Sequence, residues 1–231
     1  MLIKDTVISA QVVGRYNHLI IDAKLPDASI VPVFCSSYDI AEMCQEGRCI
    51  YISKRTSTEY NIPYEIEFVL LDTGMVYAKP NNNNNLFEEA FRSGIITEFS
   101  QYTECRKIGS EDKLPHIDFE LSNSSNEKCF VFVTNIYKKQ ADNAVFPGKI
   151  NFFELEMLET MRYLRAQGYM TYVFMIVPRM DCNNIRFIWN EAPLAAGKIF
   201  EEAKNGLNFV GYSCNIKKMS VTISNVMPIL Y

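Results

Sequence analysis

The run YMTYVFMIVP, ending at Pro178, is apolar almost without a break and follows a glycine at position 168. A half-buried strand alternates apolar and polar residues. A strand without alternation needs apolar cover on both faces. It therefore belongs in the middle of a sheet between two layers, and the chain around it should be a layered α/β domain. The flanking segments agree. FFELEMLETMRYLRAQ places Phe153, Met157, Met161 and Leu164 on one helical stripe, leaving Glu154, Glu156 and Glu159 largely on other faces. APLAAGKIFEEAKNG reads as a further helix and LNFVGYSCNI as a further strand. Upstream, KLPHIDFEL and KCFVFVTNIY read as a strand pair joined by the polar turn SNSSNE. A loop containing Phe146, Pro147 and Gly148 leads into the long helix.

Before Pro80 the grain is different. VISAQVV, HLIIDAKL, SIVPVF, GRCIYISK, YEIEFVLL and MVYAK are short strands broken by turns, with helix only around IAEMC. So many strands in so short a segment predict a small barrel or a strongly curled sheet. The run Asn81–Asn85 is expected to form a turn whose last residue caps the helix LFEEAFRSG, closed by Gly94. The boundary between a 1–80 β-domain and an 81–231 α/β domain is expected there.

Charge and cysteine usage narrow the function. With 23 basic and 27 acidic side chains the net charge is −4, and neither half is basic. A nucleic-acid site therefore needs a local patch against a neutral to acidic background. No stretch reaches the length of an apolar membrane span, and the first twenty residues do not read as a secretory signal, so a cytoplasmic protein with no membrane partner is expected. Seven scattered cysteines, an odd number, argue against a disulfide framework and for reduced, mostly buried thiols.

Two histidines, His18 and His116, are too few and too far apart for a histidine metal centre. Dinucleotide, P-loop and serine-hydrolase motifs are absent. One constellation remains, at His116–Ile117–Asp118–Phe119–Glu120. Strand periodicity puts Asp118 and Glu120 on one side. Paired carboxylates suit Mg²⁺, which phosphodiester hydrolysis uses to activate water. That chemistry also wants a carboxylate, and often a lysine, on the neighbouring strand. The strand Phe130–Asn135 has neither, so on the two carboxylates alone a solvated strand edge is the favoured reading of the pair.

At these residues the chain resembles the sugar fermentation stimulation protein (SfsA) family. HLIIDAKL after Gly14–Arg15–Tyr16, NIPYEIEFVLL, AKPNNNNNLFEEAFRSGIITEF, HIDFEL, AVFPGKI and RAQGYMTYVFMIVPRMD are similar to that family's segments in the same order. The resemblance implies an OB-like β-barrel followed by a restriction-endonuclease-like mixed sheet flanked by helices, of the PD-(D/E)XK type. It also implies nucleic-acid binding, with Mg²⁺-dependent cleavage where the motif is intact. Here Asp118 matches the family's aspartate, but the glutamate position holds Phe132 and the lysine position Thr134. The arginine before the aspartate is His116, the Phe-Pro-Asp carboxylate is lost at Gly148, and a lysine–histidine pair becomes Glu156–Met157.

The reading that follows is a DNA- or RNA-binding protein with weak affinity, no required cofactor and no cleavage. Arg15, Tyr16, Lys54 and Arg55 would supply phosphate contacts and a stacking surface, although each also reads as an ordinary turn residue. Two alternatives stand beside it. One is a Mg²⁺-dependent nuclease rearranged around Asp118 with Glu120, Glu154 and Glu156, and with Lys138, Lys139 or Lys149 as the amine. The other is a protein-interaction or small-ligand module. A homodimer or a protein partner is left open.

Overall fold

The computed structural model describes residues 1–3, 6–17, 19–55, 62–147, 152–188, 193–217 and 220–231, without the side chains of 152–154, 194 and 195. His18, Gly148 and Lys149 lie outside the described residues, as do the side chains of Phe153 and Glu154. The chain divides into two compact units. One comprises Met1–Asn82 with Pro178–Asp181 and Cys214–Thr222; the other comprises Asn83–Val177, Cys182–Ser213 and Ile223–Tyr231.

In the first unit, strands β1 (Ile8–Arg15), β2 (Ile20–Lys24), β3 (Ile30–Phe34), β4 (Cys49–Lys54), β5 (Tyr64–Leu71) and β6 (Gly74–Tyr77) run in the order β3-β2-β1-β4-β5-β6. A parallel pairing of β3 with β5, Val33 opposite Tyr64 and Phe34 opposite Glu65, joins the two ends. Five strands thus close into an OB-like barrel, with helix α1 (Tyr38–Met43) between the third and fourth strands. Alternation supplies the interior: Ala10 and Val12, Ile21 and Ala23, Val33, Ile50 and Ile52, and Ile66 and Phe68 are buried. Strand β1 serves both β2 and β4, and a register shift between Val12 and Gly14 gives it the extra coiling this requires. Glu67 is buried on β5. Its carboxylate accepts from the Ser53 hydroxyl at 2.5 Å and pairs with Lys79, which also reaches Glu65 at 3.1 Å.

The second unit is built on a six-stranded mixed sheet. Its strands are β7 (Glu104–Lys107), β8 (Phe119–Ser122), β9 (Lys128–Asn135), β12 (Met170–Val177), β14 (Leu207–Lys217) and β15 (Ser220–Val226), in the order β15-β14-β12-β9-β8-β7. β12 pairs in parallel with β9 and with β14, while β8 is antiparallel to β7 and β9. Val173 through Val177 have no exposed surface. Their side chains alternate between two layers. Val173, Met175 and Val177 join a core with Met157, Met161 and Leu164 of α3 (Phe152–Ala166). Phe174 meets Phe87 of α2 (Asn83–Arg92) at 4.9 Å between ring centroids, and Tyr172 meets Phe99 at 5.0 Å. Continuous apolar character in β12 is thus explained by cover on both sides.

Two features depart from expectation. The asparagine run is not a turn ending at a capping Asn85: residues Pro80–Asn82 form a 3-10 turn and α2 already begins at Asn83. The polar amides of Asn83–Asn85 line its first turn, where free backbone groups make asparagine acceptable. The expected loop before Pro147 is in fact strand β11 (Asn143–Phe146). With β10 (Lys139–Gln140), β13 (Asn184–Phe187) and β16 (Ile229–Leu230) it forms a second sheet in the order β10-β11-β13-β16. These strands are two to four residues long, too short for periodicity to show. No helix among the described residues is long and apolar enough to cross a membrane.

Helix α4 (Pro193–Lys204) is fastened to α3 by charge. Glu202 is fully buried, and both Arg162 and Arg165 donate to its carboxylate. Removing Glu202 leaves the largely buried Arg165 guanidinium without its counter-charge, whereas Arg162 is already more than half exposed. Glu202→Ala should therefore cost about 3–5 kcal/mol of unfolding free energy, measured by urea denaturation followed by circular dichroism. A loss below about 1 kcal/mol, the size expected of a surface pair, would contradict this assignment.

Candidate functional site

The four barrel residues selected from the sequence lie along one line of strand register. Arg15 on β1 is opposite Ile21 on β2, and Ile21 is opposite Val33 on β3. Val33 registers with Tyr64 on β5, and Tyr64 is opposite Lys54 on β4. Cross-strand partners sit side by side, so this sequence of pairs traces a slanted rim round β2, β3 and β5 with Arg15 at one end and Lys54 at the other; on the direct β1–β4 seam, where Ile8 is opposite Ile52, the two stand well apart. Tyr16 and Arg55 are the next residues on each strand and belong to the same rim.

Local chemistry shapes that rim. Between β1 and β2 the Asn17 side chain accepts from the backbone N–H groups of Leu19 at 2.7 Å and Ile20 at 3.0 Å, fixing a tight turn. The turn leaves Tyr16 three-quarters exposed. Arg15 donates to the Ala41 carbonyl of α1 at 3.4 Å. Arg55 lies with its guanidinium 4.1 Å above the Phe34 ring, a cation–π contact. Its backbone N–H donates to the Pro63 carbonyl, so the β4–β5 connection starts and ends at this rim. The rim thus presents three cations, an exposed tyrosine and the Arg55–Phe34 pair.

In the second unit Asp118 immediately precedes β8. One carboxylate oxygen accepts from the Val133 N–H at 2.8 Å and the other from the Asn84 amide at 2.9 Å. Burial raises its pKa above the usual carboxylate value, against the pull of those two hydrogen bonds and of the Lys107 charge. Asp118 therefore ties the β8–β9 pair to the first turn of α2. Asn84 and Lys107 were not singled out from the sequence. The homopolymeric asparagine run concealed the first, and β7, too short to detect, carries the second.

Glu120 has other partners: Arg106 at 2.9 Å and Lys128 at 2.9 Å. Burial opposes its ionisation, but those two cations hold its pKa below the usual value. His116, at a left-handed backbone position with φ of 61°, contacts the Glu156 carboxylate at 2.7 Å. Phe132 packs against the apolar core that includes Ile117, Phe130 and Val173. Lys139 lies in β10 and Lys138 adjoins it.

Whether these residues fit a divalent cation follows from their donors. A hard cation needs several convergent oxygen ligands. Both Asp118 oxygens already accept protein hydrogen bonds, Glu120 and Glu156 are paired elsewhere, and Phe132 has no donor atom. Among the described residues no three His, Cys, Asp or Glu side chains gather into a group able to hold a metal. The donors among the described residues do not fit Mg²⁺; the Glu154 side chain lies outside them.

Comparison with known proteins agrees with the fold. Residues 81–220 match the family model described as the sugar fermentation stimulation protein RE domain. A sugar fermentation stimulation protein homologue from Maricaulis maris is 24% identical over 225 residues, covering 96% of each chain. One from Allorhizobium ampelinum is 23% identical over 231 residues, covering 99% of this chain and 98% of its own. The solved structure of Pyrococcus furiosus SfsA in complex with Ca²⁺ superposes over all of both chains, with a TM-score of 0.83 and 12% identity. A family model matched along more than half of its length shows that this chain belongs to the sugar fermentation stimulation protein (SfsA) family.

Proposed function

We propose that this protein binds single- or double-stranded nucleic acid weakly on the barrel rim and does not cleave it. The observation that carries the reading is the register line from Arg15 through Ile21, Val33 and Tyr64 to Lys54, which strings the chain's candidate phosphate contacts along one band of the barrel surface. OB-type barrels use the same connections, between strands one and two and between strands four and five, for oligonucleotides. Cations neutralise phosphates and aromatic faces accept bases, which together permit binding without sequence preference.

The second half of the proposal rests on donors. Hydrolysis of a phosphodiester needs carboxylates converging on a metal beside the scissile phosphate. The Pyrococcus furiosus relative was solved with Ca²⁺. In this chain the aspartate that would contribute to such a site holds Val133 and Asn84, and an aromatic ring stands where the next carboxylate would be. No bound cofactor is required for the function proposed, and the membrane has no part in it.

Nucleic-acid affinity should fall as salt rises, because released counterions drive the association. The double variant Lys54→Glu/Arg55→Glu should lower affinity at low salt and reduce the slope of log K against log salt by about 2. Fluorescence anisotropy with labelled DNA and RNA measures both. Equal binding by the variant and the parent would remove the rim from consideration.

Incubation with labelled DNA or RNA and Mg²⁺ or Mn²⁺ should give no cleavage beyond a chelator control. Metal-dependent cleavage that disappears in a folded Asp118→Ala variant would overturn the non-catalytic reading. The same variant should lose about 1–3 kcal/mol of stability through the unpaired Val133 N–H and Asn84 amide, with nucleic-acid affinity unchanged. Urea denaturation showing no loss would contradict the structural role given to Asp118.

A further inference from the structure

Where β1 turns into β2, the barrel carries a second, outward-facing line of register. Ile21 and Val33 have no exposed surface and point into the barrel. Their chain neighbours Ile20 and Phe34, opposite each other on β2 and β3, therefore face outwards. Tyr16 closes the hairpin, its N–H donating to the Ile20 carbonyl at 3.1 Å, and three-quarters of it is exposed. Arg55 reaches the same line from the end of β4, with its guanidinium 4.1 Å from the centre of the Phe34 ring. A tyrosine ring and a guanidinium seated on a phenyl ring thus stand two strands apart, about 10 Å at the usual strand spacing.

Given the rim binding proposed above, we infer that this end of the barrel selects unpaired strands over duplex, stacking one base on Tyr16 and another on the Arg55–Phe34 pair. A guanidinium serves different partners with its faces and its edge: it stacks through the faces and hydrogen-bonds through the N–H groups in its plane. Phe34 takes one face of Arg55 and directs the other away from the barrel. In a duplex each base lies between its neighbours at a spacing of about 3.4 Å, so no base face is open to a protein. Two platforms about 10 Å apart can be filled only by a strand free to turn its bases out of the stack.

Charge acts in the same direction. Residues 1–80 carry 7 basic and 10 acidic side chains, so the barrel has no surplus of cations to hold the denser charge of a duplex. Stacking must then supply much of the affinity, and only an unpaired strand offers it. The outward line is also kept clear of unbalanced negative charge. Glu65, opposite Phe34, is paired with Lys79 at 3.1 Å. Ring and guanidinium faces accept any base, which leaves the selection one of strandedness and not of sequence.

The test is fluorescence anisotropy of the full chain at low salt with three labelled DNA probes of one length, about 15 nucleotides. They are a single strand, its duplex, and a strand of the same charge whose bases are replaced by abasic sites. The single strand should bind at least about tenfold more tightly than either of the others. Tyr16→Ala should weaken the single strand by about tenfold and narrow its advantage over the duplex. Equal affinity for single strand and duplex, or for single strand and abasic strand, would overturn the inference, as would an equal loss on both substrates in Tyr16→Ala. If Lys54→Glu/Arg55→Glu still weakened binding in that case, the rim reading would stand without the selection. Failure of all three probes to bind would overturn both together. The comparison of probes on the unsubstituted chain decides the matter even where Tyr16→Ala does not fold.

Discussion

Two registered residue pairs between β3 and β5 determine the shape of the N-terminal unit. Val33 opposite Tyr64 and Phe34 opposite Glu65 join strands at the two ends of a curled sheet, and this parallel contact makes a barrel of it. Closure gives β3 a second neighbour, so backbone groups that would otherwise lie at a free edge are paired, while β6 continues the sheet beyond β5. It also has a functional consequence. Without it, Arg15 and Lys54 would be connected only along the β1–β4 seam, where they stand well apart; with it, a second line of register links them across β2, β3 and β5.

In the second unit the aspartate that the family resemblance singles out is engaged by the protein itself. Asp118 is buried and unfavourable as an anion, and its surroundings answer that with an N–H, an amide and a nearby lysine. A carboxylate so engaged joins β8, β9 and α2, a mechanical role that needs no metal. Phe132 acts in the same direction. At a position where a nuclease needs an oxygen ligand, its ring extends the apolar core. A buried unpaired carboxylate there would be costly, whereas a phenyl ring adds apolar burial.

The fold was legible where elements were long. Strand β12 announced its two-sided cover through eight apolar or small residues, and helix α3 its buried stripe through methionine and leucine at helical spacing. The small second sheet was hidden because strands of two to four residues carry no period. The rim residues were legible as turn-flanking cations and a tyrosine, yet their alignment was not: it arises from four pairings that link five strands. At the remnant nuclease position the missing donors could be read directly at Phe132 and Thr134. The new partner of Asp118 could not, because five consecutive asparagines gave no sign which one would point inward.

The central claim is that nucleic acid is held at the barrel rim and not around Asp118. Ultraviolet crosslinking of a bound oligonucleotide, followed by peptide mass spectrometry, tests it most directly. The account predicts crosslinks concentrated at Tyr16, Phe34 and Tyr64. Crosslinks concentrated at His116, Phe119 or Phe132, with the rim unlabelled, would contradict it.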